Sequence, residues 1–127
     1  MIITKTFDFD AAHYLPALPA AHKCSRMHGH TYMVTVEIGG PLDPGLGWIV
    51  DYAVIAGVWA EINGIVDHRV LNEIPGLETP TSEVLALWLF RRFDVAALGT
   101  AQLEAVTLHE SSTTSCRVTR DDIAGRA

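Results

Sequence analysis

Positive charge is scarce in this chain: 9 Lys and Arg stand against 15 Asp and Glu, a formal net charge of −6 at pH 7. A face basic enough to follow a nucleic-acid backbone is therefore not expected. An acidic chain can still hold a small anion in a local pocket. Cysteine is also scarce. Cys24 and Cys116 are the two copies, too few for a disulfide framework. A reducing cytoplasm is the expected setting. Long apolar runs are missing: the longest, residues 84–90, falls far short of the about 18 residues a membrane span needs. The first ten residues alternate apolar and polar side chains instead of forming a secretory apolar core, so neither export nor membrane attachment is expected. No repeat, linker or low-complexity tract is visible. With 49% apolar and 19% charged residues, composition excludes disorder. The 127 residues are read as one domain, 1–127, large enough for a true core.

Histidine is the residue in excess. Four of the six copies fall between His13 and His30. Residues 2–13 alternate, with Ile3, Phe7, Phe9, Ala11 and His13 on one face and Thr4, Thr6, Asp8 and Asp10 on the other. Residues 28–38 alternate again, with His28, His30, Tyr32, Val34, Val36 and Ile38 together. Both are half-buried strands. Residues 15–27, with Pro16 and Pro19, form a loop, and residues 39–47, with four Gly and two Pro, form another.

Apolar spacing predicts a helix over 52–65 with Asp51 as N-cap, fraying near Gly64. A second helix is predicted over 80–93, with Thr79 as cap and Pro80 in its first turn. That helix is apolar nearly all round, so it is buried or covered by another subunit. Residues 103–110 and 116–120 read as two further strands. The order β-β-α-α-β-β is an α+β fold: a four-stranded antiparallel sheet with two helices on one face. Such a sheet has open edges, which invite a second copy of the chain.

The sharpest chemical signal is His28-Gly29-His30. Residues i and i+2 of a strand project from one face. His13 ends the preceding strand on that strand's apolar face. Pairing of the two strands brings three imidazoles together, the ligand set of an open zinc site. Nickel, copper or iron would also suit imidazole. The alternative is histidines of a strand end with no ligand role.

Other residues stay open at this level. Cys24 is a fourth zinc ligand, a free thiol activated by a cationic neighbourhood, or a small buried hydrophobe. Asp67-His68 is an acid–base pair or a solvated helix C-terminus. As a pair, the two adjacent residues need a bent backbone. Glu110 shares the face of Val106 and Leu108 and sits at the rim or binds paired donors of a ligand. Thr81, Ser82 and Glu83 are helix-capping residues or the wall of a polar pocket. His109 points away from Glu110, and Cys116 is read as structural.

Taken in order, Phe7-Asp-Phe-Asp-Ala-Ala-His13, Cys24-Ser-Arg-Met-His-Gly-His30, Gly47-Trp-Ile-Val-Asp51, Asp67-His68, Leu71-Asn72, Thr79-Pro-Thr-Ser-Glu83 and Glu110 resemble the 6-pyruvoyl-tetrahydropterin synthase / 6-carboxytetrahydropterin synthase family over nearly the whole chain. The resemblance implies the T-fold, with subunits joined as a homo-oligomer, a trimer or a hexamer. It implies one Zn2+ per subunit on His13, His28 and His30. It implies Cys24, Asp67 and His68 as proton-transfer residues, with Asp67 and His68 serving a neighbour's Cys24. It implies Glu110 as the anchor of a pterin ring.

The Cys-x3-His-Gly-His spacing resembles the bacterial carboxy-forming enzymes of queuosine (7-deazaguanine) biosynthesis. These convert 7,8-dihydroneopterin triphosphate to 6-carboxy-5,6,7,8-tetrahydropterin, acetaldehyde and triphosphate. The pyruvoyl-forming synthase is the alternative within the family, and a zinc- or pterin-binding protein without turnover the alternative outside catalysis. Cys24 separates the chain from the lyases that carry a glutamate in its place. Lys23 and Arg26 are candidates to hold the triphosphate or else belong to a solvated loop.

Overall fold

Alternation in the two long strands decides the sheet. The computed structural model describes residues 1–124. It runs β1 (Ile2–His13), β2 (His28–Gly39), α1 (Tyr52–Val66), β3 (Arg69–Val70), α2 (Ser82–Asp94), β4 (Gln102–His109), β5 (Ser115–Thr119) and α3 (Arg120–Ala124). Short 3-10 turns cover Lys23–Ser25 and Leu71–Glu73. β1 and β2 pair antiparallel over their full length, from Ile2↔Gly39 to His13↔His28. β4 adds antiparallel to β2, and β5 to β4.

The α+β order expected from the sequence is therefore present, with one addition. The sheet has five strands, ordered β3-β1-β2-β4-β5, instead of four. β3 is two residues long and pairs parallel with β1 at Ala11 and Ala12. A strand that short carries no alternation for a sequence to show. The rest of β1's outer edge has no strand beside it among the described residues.

One face of the sheet carries the core. Phe9, Val34, Val36, Ile38, Val106 and Leu108 are all buried beneath α1 and α2. Phe7 stacks on Trp59 of α1 at 4.9 Å between ring centroids, and Phe9 stacks on Tyr32 at 5.0 Å. Stacked pairs of this kind add roughly 0.5–1.5 kcal/mol beyond the area they bury. From α2, Leu85, Leu89, Phe90 and Phe93 complete the layer.

Helix boundaries differ from expectation at three places. α1 does not fray at Gly64: it continues to Val66, which is fully buried, and Asp67 closes it with an N–H to the Asn63 carbonyl at 2.9 Å. Burial of the last turn outweighs the glycine's helix cost of about 1 kcal/mol. α2 begins at Ser82, capped by the Thr81 hydroxyl, which accepts from the Val84 N–H at 3.2 Å. Pro80 lies before the helix, not in its first turn. A third helix, α3, follows β5, and the Asp122 carboxylate at its start accepts from the Thr119 N–H at 2.8 Å. Among the described residues no helix is long and apolar enough to cross a membrane.

Candidate metal centre and active site

The β1–β2 register builds the site. His13 stands directly across from His28, and His30 across from Ala11. All three imidazoles project from the sheet's apolar face. Their ring centroids are 4.6 Å apart for His13–His28 and 5.0 Å for the other two pairs. One ligand nitrogen from each can be chosen so that all lie within 4.8 Å of one another. The group can hold a metal ion.

Two of the rings are oriented by main-chain carbonyls. His13 Nδ1 lies 2.8 Å from the Pro80 carbonyl, and His28 Nδ1 lies 2.7 Å from the Arg26 carbonyl. A carbonyl only accepts, so these Nδ1 atoms carry the proton and each Nε2 presents a lone pair. A metal-binding histidine is held in this way. His13 is 1% exposed. Burial pushes its pKa down, opposed in part by the Pro80 bond; burial also lowers that of His30, opposed by Glu110. Both rings are thereby favoured as neutral ligands.

The convergence leaves a gap in the hydrogen bonding. Among the described residues, His13 Nε2 and His30 Nε2 are buried and have no hydrogen-bond partner. Glu110 Oε1 lies 3.4 Å from the first and 3.3 Å from the second, close enough for an ion pair but outside hydrogen-bond alignment. On a neutral His13, whose Nδ1 carries the proton, the acceptor Nε2 then faces a carboxylate oxygen with no donor between them. A cation among them removes that conflict. On this test the residues present fit a zinc-type ion with one coordination position open.

A hollow opens over the triad, lined by His13, Leu15, Lys23, Cys24, His28, His30 and Glu110. Cys24 is half-buried on the 3-10 turn and lies outside the three-histidine group. Its turn is held by its own bonds: the Cys24 N–H donates to His22 Nδ1 at 3.0 Å, and the Cys24 carbonyl accepts from the Leu15 N–H at 2.8 Å. Glu110 is not a solvated strand end; it reaches into the triad. Lys23 lines the hollow. The Arg26 side chain is exposed, and it is the Arg26 carbonyl that reaches His28.

Asp67 and His68 line up as a pair. His68 Nδ1 is 3.0 Å from Asp67 Oδ2, and the required bend comes from His68 itself, at φ 56°. Histidine enters the left-handed region more readily than most side chains. The Asp10 backbone grips both residues: its N–H donates to Asp67 Oδ1 at 3.0 Å and its carbonyl accepts from the His68 N–H at 2.6 Å. The Asp10 N–H and the His68 imidazole hold the Asp67 carboxyl below its usual range. The hydrogen bond and charge of Asp67 raise the His68 pKa. This pair lies apart from Cys24: His68 lines a second hollow with Asp10, Ala12, Thr31 and Arg69. Gly29 and His30 also line it, so His30 borders both hollows.

The start of α2 is not part of the triad's hollow. Thr81 is the N-cap, Ser82 is half-buried, and exposed Glu83 acts on Cys116, whose thiol is pushed up by burial first and by Glu83 next. Pro80, Tyr32 and Asn72 escaped the sequence reading as supports of the site. The Tyr32 hydroxyl is 3.4 Å from His13 Nδ1, and burial raises its pKa beyond the ordinary phenol range. Tyr32 was visible as the next residue on the histidine face. Nothing local signals a backbone carbonyl at Pro80.

With this geometry in hand, known proteins provide a frame. The sequence profile of the family described as 6-pyruvoyl tetrahydropterin synthase matches residues 2–121. A Synechocystis protein named 6-carboxy-5,6,7,8-tetrahydropterin synthase is 35% identical, covering 91% of this chain and 91% of that protein. A Pyrococcus furiosus protein named dihydroneopterin monophosphate aldolase is 31% identical, over 82% of this chain and 84% of its own. The solved structure of Caenorhabditis elegans 6-pyruvoyl tetrahydropterin synthase superposes with a TM-score of 0.85 at 26% identity, covering 94% of each chain.

Proposed function

The chain belongs to the 6-pyruvoyl tetrahydropterin synthase family, and from that membership we propose that it is the carboxy-forming lyase. In the proposed reaction, 7,8-dihydroneopterin triphosphate and water give 6-carboxy-5,6,7,8-tetrahydropterin, acetaldehyde and triphosphate. On this reading the product enters queuosine (7-deazaguanine) biosynthesis in the cytoplasm, and residues 1–127 act as one T-fold domain. The observation that carries the proposal is one hollow lined by three imidazoles, a thiol and a carboxylate.

Zinc, when held by His13, His28 and His30, supplies Lewis-acid polarisation of the substrate's side-chain hydroxyls. Cys24, as thiolate, removes a proton from the substrate side chain. His68 exchanges its proton through Nε2, because its Nδ1 faces Asp67 at 3.0 Å. Asp67 favours the protonated ring, so His68 is a proton donor as well as an acceptor. Glu110 accepts from the paired N–H groups at the pterin edge. Lys23, at the rim of the hollow, and Arg26 receive the triphosphate. Cys24 and His68 line different hollows of one chain. The proposal therefore joins Cys24 of one subunit to the Asp67–His68 pair of the next, in a trimer or hexamer.

Mass spectrometry of the products from 7,8-dihydroneopterin triphosphate tests this reading. The expected product is 6-carboxytetrahydropterin, with acetaldehyde released in equal amount. A pterin that retains its three-carbon side chain would establish the pyruvoyl-forming synthase instead. Unreacted substrate with a metal-loaded protein would establish a binding protein.

A further inference from the structure

His13 is the most buried of the three candidate ligands, and it sits on the last residue of β1, where strand pairing ends. A strand end is a weak place for a ligand that must be held closely. The ladder between β1 and β3 is parallel, with Ala11 opposite Arg69 and Ala12 opposite Val70. After Val70 the backbone leaves the ladder and turns into the 3-10 turn Leu71–Glu73. Tyr14 would then have an N–H and a carbonyl with no strand beside them.

The side chain of Asn72 continues the ladder. Its Oδ1 accepts from the Tyr14 N–H at 3.0 Å, and its Nδ2 donates to the Tyr14 carbonyl at 2.8 Å. A primary amide carries one acceptor and two donors in a plane, so it can stand in for a peptide group. The register is preserved: Tyr14 and Asn72 are 58 residues apart, the same offset as the two backbone pairs before them. The second hydrogen on Nδ2 is directed to the Glu78 carbonyl at 3.4 Å. Two residues after Glu78, the Pro80 carbonyl holds His13 Nδ1 at 2.8 Å. One amide therefore ties the strand that carries His13 to the segment that orients its ring.

We infer that Asn72 is a positioning residue for the His13 ligand, setting metal affinity through the Tyr14 backbone and the 78–80 segment without touching the metal. The inference rests on the three-histidine group being a metal site. Loss of such outer support around a metal ligand costs ~10–100-fold in affinity. Asn72→Ala removes all three bonds. Asn72→Asp keeps the acceptor for the Tyr14 N–H but loses both donors, and places a charge against two carbonyls.

The test compares Zn2+ affinity, by competition with a chromophoric chelator, with the melting temperature of the metal-free protein. Leu103→Ala serves as a control: Leu103 is buried and pairs with Ile38, at the opposite end of β2 from His28. The expected result for Asn72→Ala is Zn2+ affinity reduced ~10–100-fold and an altered Co2+ absorption spectrum, with Asn72→Asp also weakened. Leu103→Ala is expected to melt lower with wild-type affinity. A lowered melting temperature with wild-type affinity in Asn72→Ala would overturn the inference. If that variant does not fold, wild-type affinity in Asn72→Asp overturns it equally. A wild-type chain that takes up no Zn2+, or a His28→Ala variant that binds it as tightly, would instead remove the metal site itself and the inference with it.

Discussion

Equal amounts of two inactive variants, Cys24→Ala and His68→Ala, are expected to regain about a quarter of wild-type activity when assembled together. In the proposed reaction each variant alone loses a proton-transfer group, for which about two to four orders of magnitude in turnover is the usual scale. Cys24 lines the hollow over His13, His28 and His30, whereas His68 lines the hollow that includes Asp10 and Thr31. If a working site takes its thiol from one subunit and its imidazole from the next, a site is intact when a His68→Ala subunit supplies Cys24 and a Cys24→Ala subunit supplies His68. At equal mixing each choice has a chance of one half, so roughly one site in four is complete in a closed ring. The assay is turnover of 7,8-dihydroneopterin triphosphate after joint refolding, with native mass spectrometry to verify mixed oligomers. No recovery in verified mixed oligomers would put both residues in one chain's site and refute the shared-site reasoning.

Three further outcomes are expected. The wild-type protein should carry about one zinc per chain; His28→Ala should lose it and Cys24→Ala should keep it, as read by elemental analysis, because the thiol lies outside the three-nitrogen group. Titration of His68 followed by NMR should give a pKa above the ordinary 6.5, and Asp67→Asn should lower it. The sign follows from linkage: the raised imidazole pKa makes the His68 contribution complete below 6.5 and lost as pH rises through the folded value. The depressed Asp67 pKa makes its contribution present above 3.8 and lost as pH falls through the folded value, so the charged pair persists between the two titrations. Trp59→Ala should destabilise the fold by about 3–5 kcal/mol in denaturant unfolding, since Trp59 is buried and stacks on Phe7 at 4.9 Å; a loss under about 1 kcal/mol would contradict the packing.

Alternation was enough to place His13, His28 and His30. A strand repeats every two residues, so the apolar partners Phe9, Ala11, Tyr32 and Val34 declare the buried face without any knowledge of the fold. The same local logic marked Asp51 as a helix cap and the apolar residues of α1 and α2 as core-facing. Where two cap patterns competed, at Thr79-Pro80 and at Thr81, packing chose: Pro80 is buried before the helix, its carbonyl turned to His13, and Thr81 takes the N-cap. The two-residue strand β3 had no pattern to show.

The chain's residue order by itself determined that three imidazoles share a buried face and that a thiol, an Asp-His pair and a strand-end carboxylate accompany them, because short-range periodicity and spacing are written in neighbouring residues. Only the tertiary structure decided which of these meet. Glu110 reaches His13 and His30 across the sheet, Pro80 supplies a carbonyl to His13 from 67 residues away, and Asn72 clamps Tyr14 from 58. It also separated Cys24 from His68, with the left-handed backbone at His68 turning its ring onto Asp67. Such contacts depend on strand order, register and where loops return over the sheet, and no local pattern encodes a distance between segments that meet only when the chain is packed.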